Sequence, residues 1–341
     1  MGVAPRDGQG ALLVNYLAPW WLPGGHAQTI WPALHTRRQH TAKGGKAPPY
    51  RRERWTTPDG DFIDLDWLDA PGAQTLLVLF HGLEGSSKSH YALAFAAYAR
   101  QHGFSYVVPH FRGCGGEINL APRAYHSGDF EEIGWVLQRL RQCHAGRIVA
   151  VGVSLGGNAL LRWAEEAGST ADRVVAALAS ISAPVDLAAS GRAIGRGLNR
   201  QVYTRMFLAS MKPKAWLKLA QYPGLFNAQA LRDARDLYTF DNLFTAPLHG
   251  FKNTDDYWAR ASAKPHLAQI RVPTLVVNAR NDPFVPAGSL PQTSQVGTSV
   301  TLWQPHGGGH VGFAAGSPPG HVRTLPEQVG AWLATHGGSH G

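Results

Sequence analysis

The chain has 341 residues, 44% hydrophobic and 16% charged, which excludes disordered and collagen-like polymers and supplies apolar material for a large core. No run approaches the roughly 18 apolar residues of a membrane span, and no cationic stretch leads into an apolar one at the start, so a cytoplasmic globular protein is expected. The net charge of +9 suits nucleic acid, anionic lipid or an anionic substrate, but seven cations, Arg192 to Lys218, share one segment that contains no acid.

Residues 1–74 read as an irregular wrap followed by an edge hairpin. Trp20, Trp21 and Trp31 stand beside Pro23 and Pro32, which argues against a regular element. Two extended runs, Arg54 to Thr57 and Phe62 to Leu68, flank the turn Pro58-Asp59-Gly60. From Thr75 the text alternates. Residues 75–80, 105–109, 147–153 and 174–182 read as strands, and 89–102, 129–142 and the stretch from Leu155 as helices. Short apolar strands between amphipathic helices belong to a parallel sheet buried on both faces, so a doubly wound α/β core is expected. Asp129, followed three residues on by Glu132, reads as a capping box for its helix. Between 184 and 265 the rhythm stops in Arg/Lys-rich helical text with Trp216, Tyr222 and Phe240. It resumes at P-T-L-V-V-N-A and S-V-T-L-W, with a closing helix near Pro326 to Thr335. The core is therefore expected over 75–183 and 266–341, with 184–265 as a helical cap insertion.

Gly152-Val153-Ser154-Leu155-Gly156 joins a strand to a helix. A nucleophilic serine on such a turn tolerates no bulk two residues to either side, and both positions are glycine. A serine hydroxyl needs a base, and the base an orienting carboxylate. On this topology they follow in the order Ser, Asp, His at strand ends, which points to Asp282 after L-V-V-N-A and to His310 after S-V-T-L-W. His306 competes with His310, which starts V-G-F and sits nearer the closing helix. The pair His306/His310 is not a metal site, because the intervening glycines deny it a helix. Cys114 and Cys143 likewise lack metal-type spacing and read as ordinary thiols. Oxyanion donors are expected from the amides of Leu155 and of Leu83, in the loop after the strand at 75–80. His81 in that loop reads as a hydrogen bonder that orders it, and His110 and Arg112 as loop anchors.

At this point several motifs carry a resemblance. H-G-L-E-G-S-S-K-S-H-Y, F-R-G-C-G-G, Y-H-S-G-D, G-V-S-L-G-G-N, R-N-D-P-F and H-G-G-G-H-V-G-F resemble the YheT-like α/β-hydrolases, relatives of animal abhydrolase-domain lipases acting on acylglycerols and phospholipids. The early G-H-A-Q-T-I-W-P is similar to that family's N-terminal motif, with Gly24-Gly25 where Asn-Pro is usual. The resemblance implies an α/β-hydrolase fold with Ser154 as nucleophile, Asp282 as acid and His310 as base.

The expected activity is cofactor-free hydrolysis of carboxylic esters, of short or medium acyl chain or acylglycerol-like, through an acyl-enzyme. A thioesterase or amidase would use the same triad, and a binding protein on a hydrolase core is the non-enzymatic alternative. No nucleic-acid module accompanies the positive charge, so no nucleic-acid partner is expected. Arg192, Arg196 and Arg200, four residues apart, are expected to form one helical stripe able to touch an anionic membrane through the cap.

Overall fold

A computed structural model describes residues 13–42 and 48–336, with the backbone alone over 35–42. The first twelve residues of the expected wrap, and the last five of the expected core, lie outside the described residues. Eight strands form one sheet in the order β1-β2-β4-β3-β5-β6-β7-β8. They are Arg51–Thr56 (β1), Phe62–Leu68 (β2), Thr75–Phe80 (β3), Ser105–Pro109 (β4), Arg147–Val153 (β5), Ala177–Ile181 (β6), Thr274–Val277 (β7) and Val300–Trp303 (β8). The hairpin β1–β2 and the pair β2–β4 are antiparallel, and every other pairing is parallel. This is the mostly parallel α/β-hydrolase sheet that the strand pattern and the motif resemblance predict.

Period-2 side-chain alternation explains the uninterrupted apolar strands. In β3, Leu76, Val78 and Phe80 enter the core on one face, while Leu77 and Leu79 enter that on the other. Helices Phe130–Cys143 (α3) and Leu155–Ala167 (α4) cover the first face through residues such as Ile133, Leu137, Leu160 and Trp163. Helices His90–Gln101 (α2) and Thr324–His336 (α12) cover the second through Phe95, Val329 and Trp332.

Two local expectations are corrected. Part of the N-terminal wrap is a helix, Gly24–Ala42 (α1), with Pro32 inside it. Asp129 does stand at the N-cap of α3, but its side chain makes no capping bond. Its carboxylate accepts instead from Arg123 Nη2 at 2.7 Å, and Glu132 accepts from Arg112 Nε at 2.5 Å. Charge-assisted bonds to guanidinium outcompete neutral amides for both carboxylates.

Between β6 and β7 the chain forms a run of helices, most of them short: Leu187–Ile194 (α5), Gly197–Asn199 (α6), Arg205–Gln221 (α7), Ala228–Asp233 (α8), Leu237–Phe240 (α9), Ala246–Leu248 (α10) and Thr254–Ala261 (α11). A π-helical turn, Arg200–Thr204, joins α6 to α7. The segment leaves the sheet at the end of β6, the same end as the β5–α4 turn, and because β7 runs parallel to β6 it returns to the opposite end. Its return is fixed by Asn158 of α4, whose Nδ2 donates to the Ala261 carbonyl at 2.8 Å and whose Oδ1 accepts from the Ala263 amide at 3.1 Å.

Candidate active site

Ser154 occupies the β5–α4 turn with φ +53°, a left-handed conformation that a non-glycine residue adopts only when its surroundings enforce it. The surroundings are tight. A Cβ on Gly152 would lie 2.5 Å from the Gly156 carbonyl oxygen, and one on Gly156 2.5 Å from that of His81. The two glycines are thus required by close backbone approach, as the sequence pattern predicts.

The structure brings Ser154, Asp282 and His310 together from three separate loops. Ser154 Oγ lies 3.0 Å from His310 Nε2, and His310 Nδ1 lies 2.8 Å from Asp282 Oδ2. The Asp282 side chain is fully buried, and its other oxygen accepts from the amides of Phe284 (2.7 Å) and Val285 (3.2 Å). A carboxylate so placed fixes the ring with Nδ1 protonated and leaves Nε2 free to accept the serine proton. His306 is exposed and takes no part.

Residues for which sequence reasoning found no role hold the histidine loop. Gln28 Oε1, in α1, accepts from the Gly308 amide at 2.7 Å and from Asn281 Nδ2 at 2.9 Å. The His310 amide donates to Thr29 Oγ1 at 2.9 Å, and the Val311 amide to Ser182 Oγ, at the end of β6, at 3.1 Å. A Cβ on Gly312 would lie 1.9 Å from the Gln28 carbonyl oxygen, so α1 and this loop touch backbone to backbone. The only signal in the sequence was the motif G-H-A-Q-T-I-W-P, which supplies both side chains.

The α/β-hydrolase-fold family model matches residues 75–316. The YheT protein of Escherichia coli (strain K12) is 38% identical over 317 residues, covering 91% of this chain and 90% of that protein. The chain belongs to the YheT-like α/β-hydrolases. Phospholipase ABHD3 of Mus musculus is 30% identical over 285 residues, which are 80% of this chain and 69% of that protein. In fold alone, the solved esterase Pf2001 of Pyrococcus furiosus is similar at TM-score 0.52 and 17% identity, covering 85% of this chain and 93% of that one.

In this α/β-hydrolase the loop after β3 packs over the serine: a Cβ on Gly82 would lie 3.2 Å from Ser154 Cβ. His81 orders the loop, accepting from the Phe111 amide at Nε2 (3.1 Å) and donating from Nδ1 to the Gly82 carbonyl (2.8 Å). Burial pushes its pKa down to about 3, so the ring is neutral, as those two bonds require. His110 bonds Asp66 at 2.9 Å, and Arg112 pairs with Asp59 and Asp61, each at 2.8 Å, so both anchor the neighbouring loop. Among the described residues, the amides of Leu83 and Leu155 meet no protein acceptor, and both residues line the cavity that holds Ser154 and His310.

The opposite wall comes from the segment between β6 and β7, through Ile194, Phe207, Met211, Phe240, Phe244 and Trp258. Charged side chains also reach the cavity, among them Glu84, Arg112, Lys214, Lys218 and Asp241. Lys214 spans it to Glu84 at 2.9 Å, tying α7 to the loop that carries Leu83. Asp241 accepts from Trp258 Nε1 at 3.0 Å, and burial pushes its carboxyl up to about 6. Burial likewise raises the Cys114 thiol to about 11, which leaves it unreactive at neutral pH. The expected arginine stripe is not continuous: α5 ends at Ile194 and Gly197 has φ +51°, so Arg192 belongs to a different helix from Arg200. Among the described residues no helix is long and apolar enough to cross a membrane.

Proposed function

We propose that this protein is a serine hydrolase cleaving carboxylic esters through an acyl-enzyme. The observation that carries the reading is the unbroken chain from Asp282 through His310 to Ser154, ending in a cavity beside two amides without protein acceptors. Relatives bearing esterase and phospholipase names support the same chemistry.

Ser154 Oγ attacks the ester carbonyl while His310 Nε2 removes its proton. The oxygen that gains charge accepts from the Leu155 and Leu83 amides, where the N-terminal dipole of α4 adds to the stabilisation. His310 then protonates the departing alcohol, and the acyl group stays on Ser154. Water deprotonated by the same ring releases the acid and restores the serine. Asp282 holds the ring orientation and stabilises the imidazolium in both halves.

The segment from 184 to 265 serves as a cap whose aromatic and aliphatic side chains receive the acyl group. Its apolar wall supports esters of short or medium acyl chain, or acylglycerol-like lipids, as substrates. A series of p-nitrophenyl esters of increasing acyl length, followed by glycerolipids, tests this reading. Ser154→Ala is expected to lower turnover by about 10⁴-fold without loss of folding. Activity above about a tenth of wild type in that variant overturns the assignment.

A further inference from the structure

The helical path from Gly197 to Gln221 presents three faces of different chemistry. Phe207, Met211, Lys214 and Lys218 look into the cavity with the serine. On another side, Arg200, Arg205 and Lys212 line an outer groove together with Arg235 from beyond α8. Among the described residues no acid lines that groove. Lys212 is fixed there by donating to the carbonyls of Arg232 (2.8 Å) and Ala234 (2.9 Å). Asp233, whose charge reaches Lys212, accepts from Gln229 Nε2 at 2.9 Å and does not line the groove. Among the described residues none of the three arginines has an ion-pair partner, although self-repulsion alone would disperse them.

The third face is apolar and open. Leu198, Val202 and Met206 recur every fourth residue and are 58%, 39% and 54% exposed. A spacing of four places them along one side of the path. An isolated exposed leucine needs no account, but an apolar ridge beside four gathered cations does.

We infer that this surface docks the protein on an anionic phospholipid bilayer, with a lipid phosphate in the groove of Arg200, Arg205, Lys212 and Arg235 and the ridge of Leu198, Val202 and Met206 in the interface. Charge complementarity selects an anionic ligand. The ridge selects a bilayer over a free phosphate, which would gain nothing from it. The site differs from the stripe expected from sequence, since Arg192 lies outside it. Because α7 also lines the cavity, docking would hold the cavity at a source of acyl esters. That consequence rests on the proposed ester hydrolysis, whereas the binding itself does not.

The test is co-sedimentation of the full chain with vesicles of phosphatidylcholine, with and without phosphatidylglycerol, across a salt series. Wild type and Ser154→Ala are expected to bind the anionic vesicles equally, and binding is expected to fall with salt. The Arg200→Gln/Arg205→Gln/Arg235→Gln variant is expected to bind about 100-fold more weakly, since each cation near an anionic surface contributes roughly fivefold. Leu198→Ser/Val202→Ser/Met206→Ser is expected to weaken binding while keeping its salt dependence, and Arg192→Gln to change nothing. All four changed positions of the arginine groove variant and its Arg192 control are exposed, and turnover of a short soluble ester reports that each variant is folded. Equal vesicle binding by wild type and the arginine variant overturns the inference. So does titration that finds inorganic phosphate bound by wild type with no vesicle binding at any salt.

Discussion

The two walls of the cavity are held by different means. The sheet-borne wall places Ser154, Asp282 and His310 on loops at strand ends, each fixed by backbone bonds: the Ser154 amide to Ile181, two amides to Asp282, the His310 amide to Thr29. Helices α2, α3 and α4, 12 to 14 residues long, need no side-chain caps because they are packed on the sheet. The other wall combines the 17-residue α7 with shorter helices, of which α5, α8, α9 and α11, four to eight residues long, are each capped by a side chain: Asp186, Asn227, Asp236 and Asn253. Short helices leave most of their terminal amides unpaired, so local caps replace the packing that the core supplies. The proposed chemistry thus rests on the sheet, and the shape of the pocket on the segment between β6 and β7.

The sharpest way to break that division is at the sheet-borne carboxylate. Asp282→Asn is expected to lower turnover by about 10⁴-fold with little change in KM, because the ring loses its protonated Nδ1 arrangement. Asp129→Asn makes the contrast: it leaves Arg123 without its counter-charge and is expected to cost about 2 kcal/mol of stability in denaturant unfolding with turnover retained. Comparable loss of turnover in both would dissolve the distinction between a catalytic and a structural carboxylate.

A smaller effect is expected one step removed from the reacting atoms. Gln28→Ala removes the acceptor of the Gly308 amide and is expected to lower kcat by roughly 10- to 100-fold while leaving KM near wild type. Steady-state kinetics on a short ester reads the split. A rise in KM alone would mean that α1 shapes the pocket and does not position His310.

The smallest effect belongs to the insertion. Asp241 holds its proton more tightly in the fold than in the unfolded chain, with its carboxyl raised by burial to about 6. Its contribution to stability is therefore present at low pH and is lost as pH rises through about 6. In the cavity the same ionisation charges an apolar wall, so KM for an apolar ester is expected to rise several-fold above pH 6, and Asp241→Asn to flatten that rise. A pH profile of KM for both forms measures it.

The same division explains what could be read from sequence. Strands such as T-L-L-V-L-F declare themselves through apolar runs, and the serine turn through glycines whose Cβ atoms would strike backbone. Side-chain contacts across long separations leave no such trace. The capping box at Asp129 and Glu132 is locally sound but loses to Arg123, six residues before Asp129, and to Arg112, twenty residues before Glu132, since the sequence pattern does not show which partner a carboxylate takes. Helix α1 was obscured by Pro32 and by the absence of an acid in its first turn. Gln28 and Thr29 therefore showed only as part of a motif. The arginine stripe assumed an unbroken helix where Gly195 and Gly197 end one and begin another.

The central claim is that Ser154 is activated by His310. Intact protein treated with a fluorophosphonate, digested and examined by peptide mass spectrometry, tests it most directly. The account predicts one adduct, on the peptide carrying Ser154, formed far more slowly in His310→Ala, and no adduct in Ser154→Ala. An adduct on another residue, or equal labelling rates in wild type and His310→Ala, would contradict it.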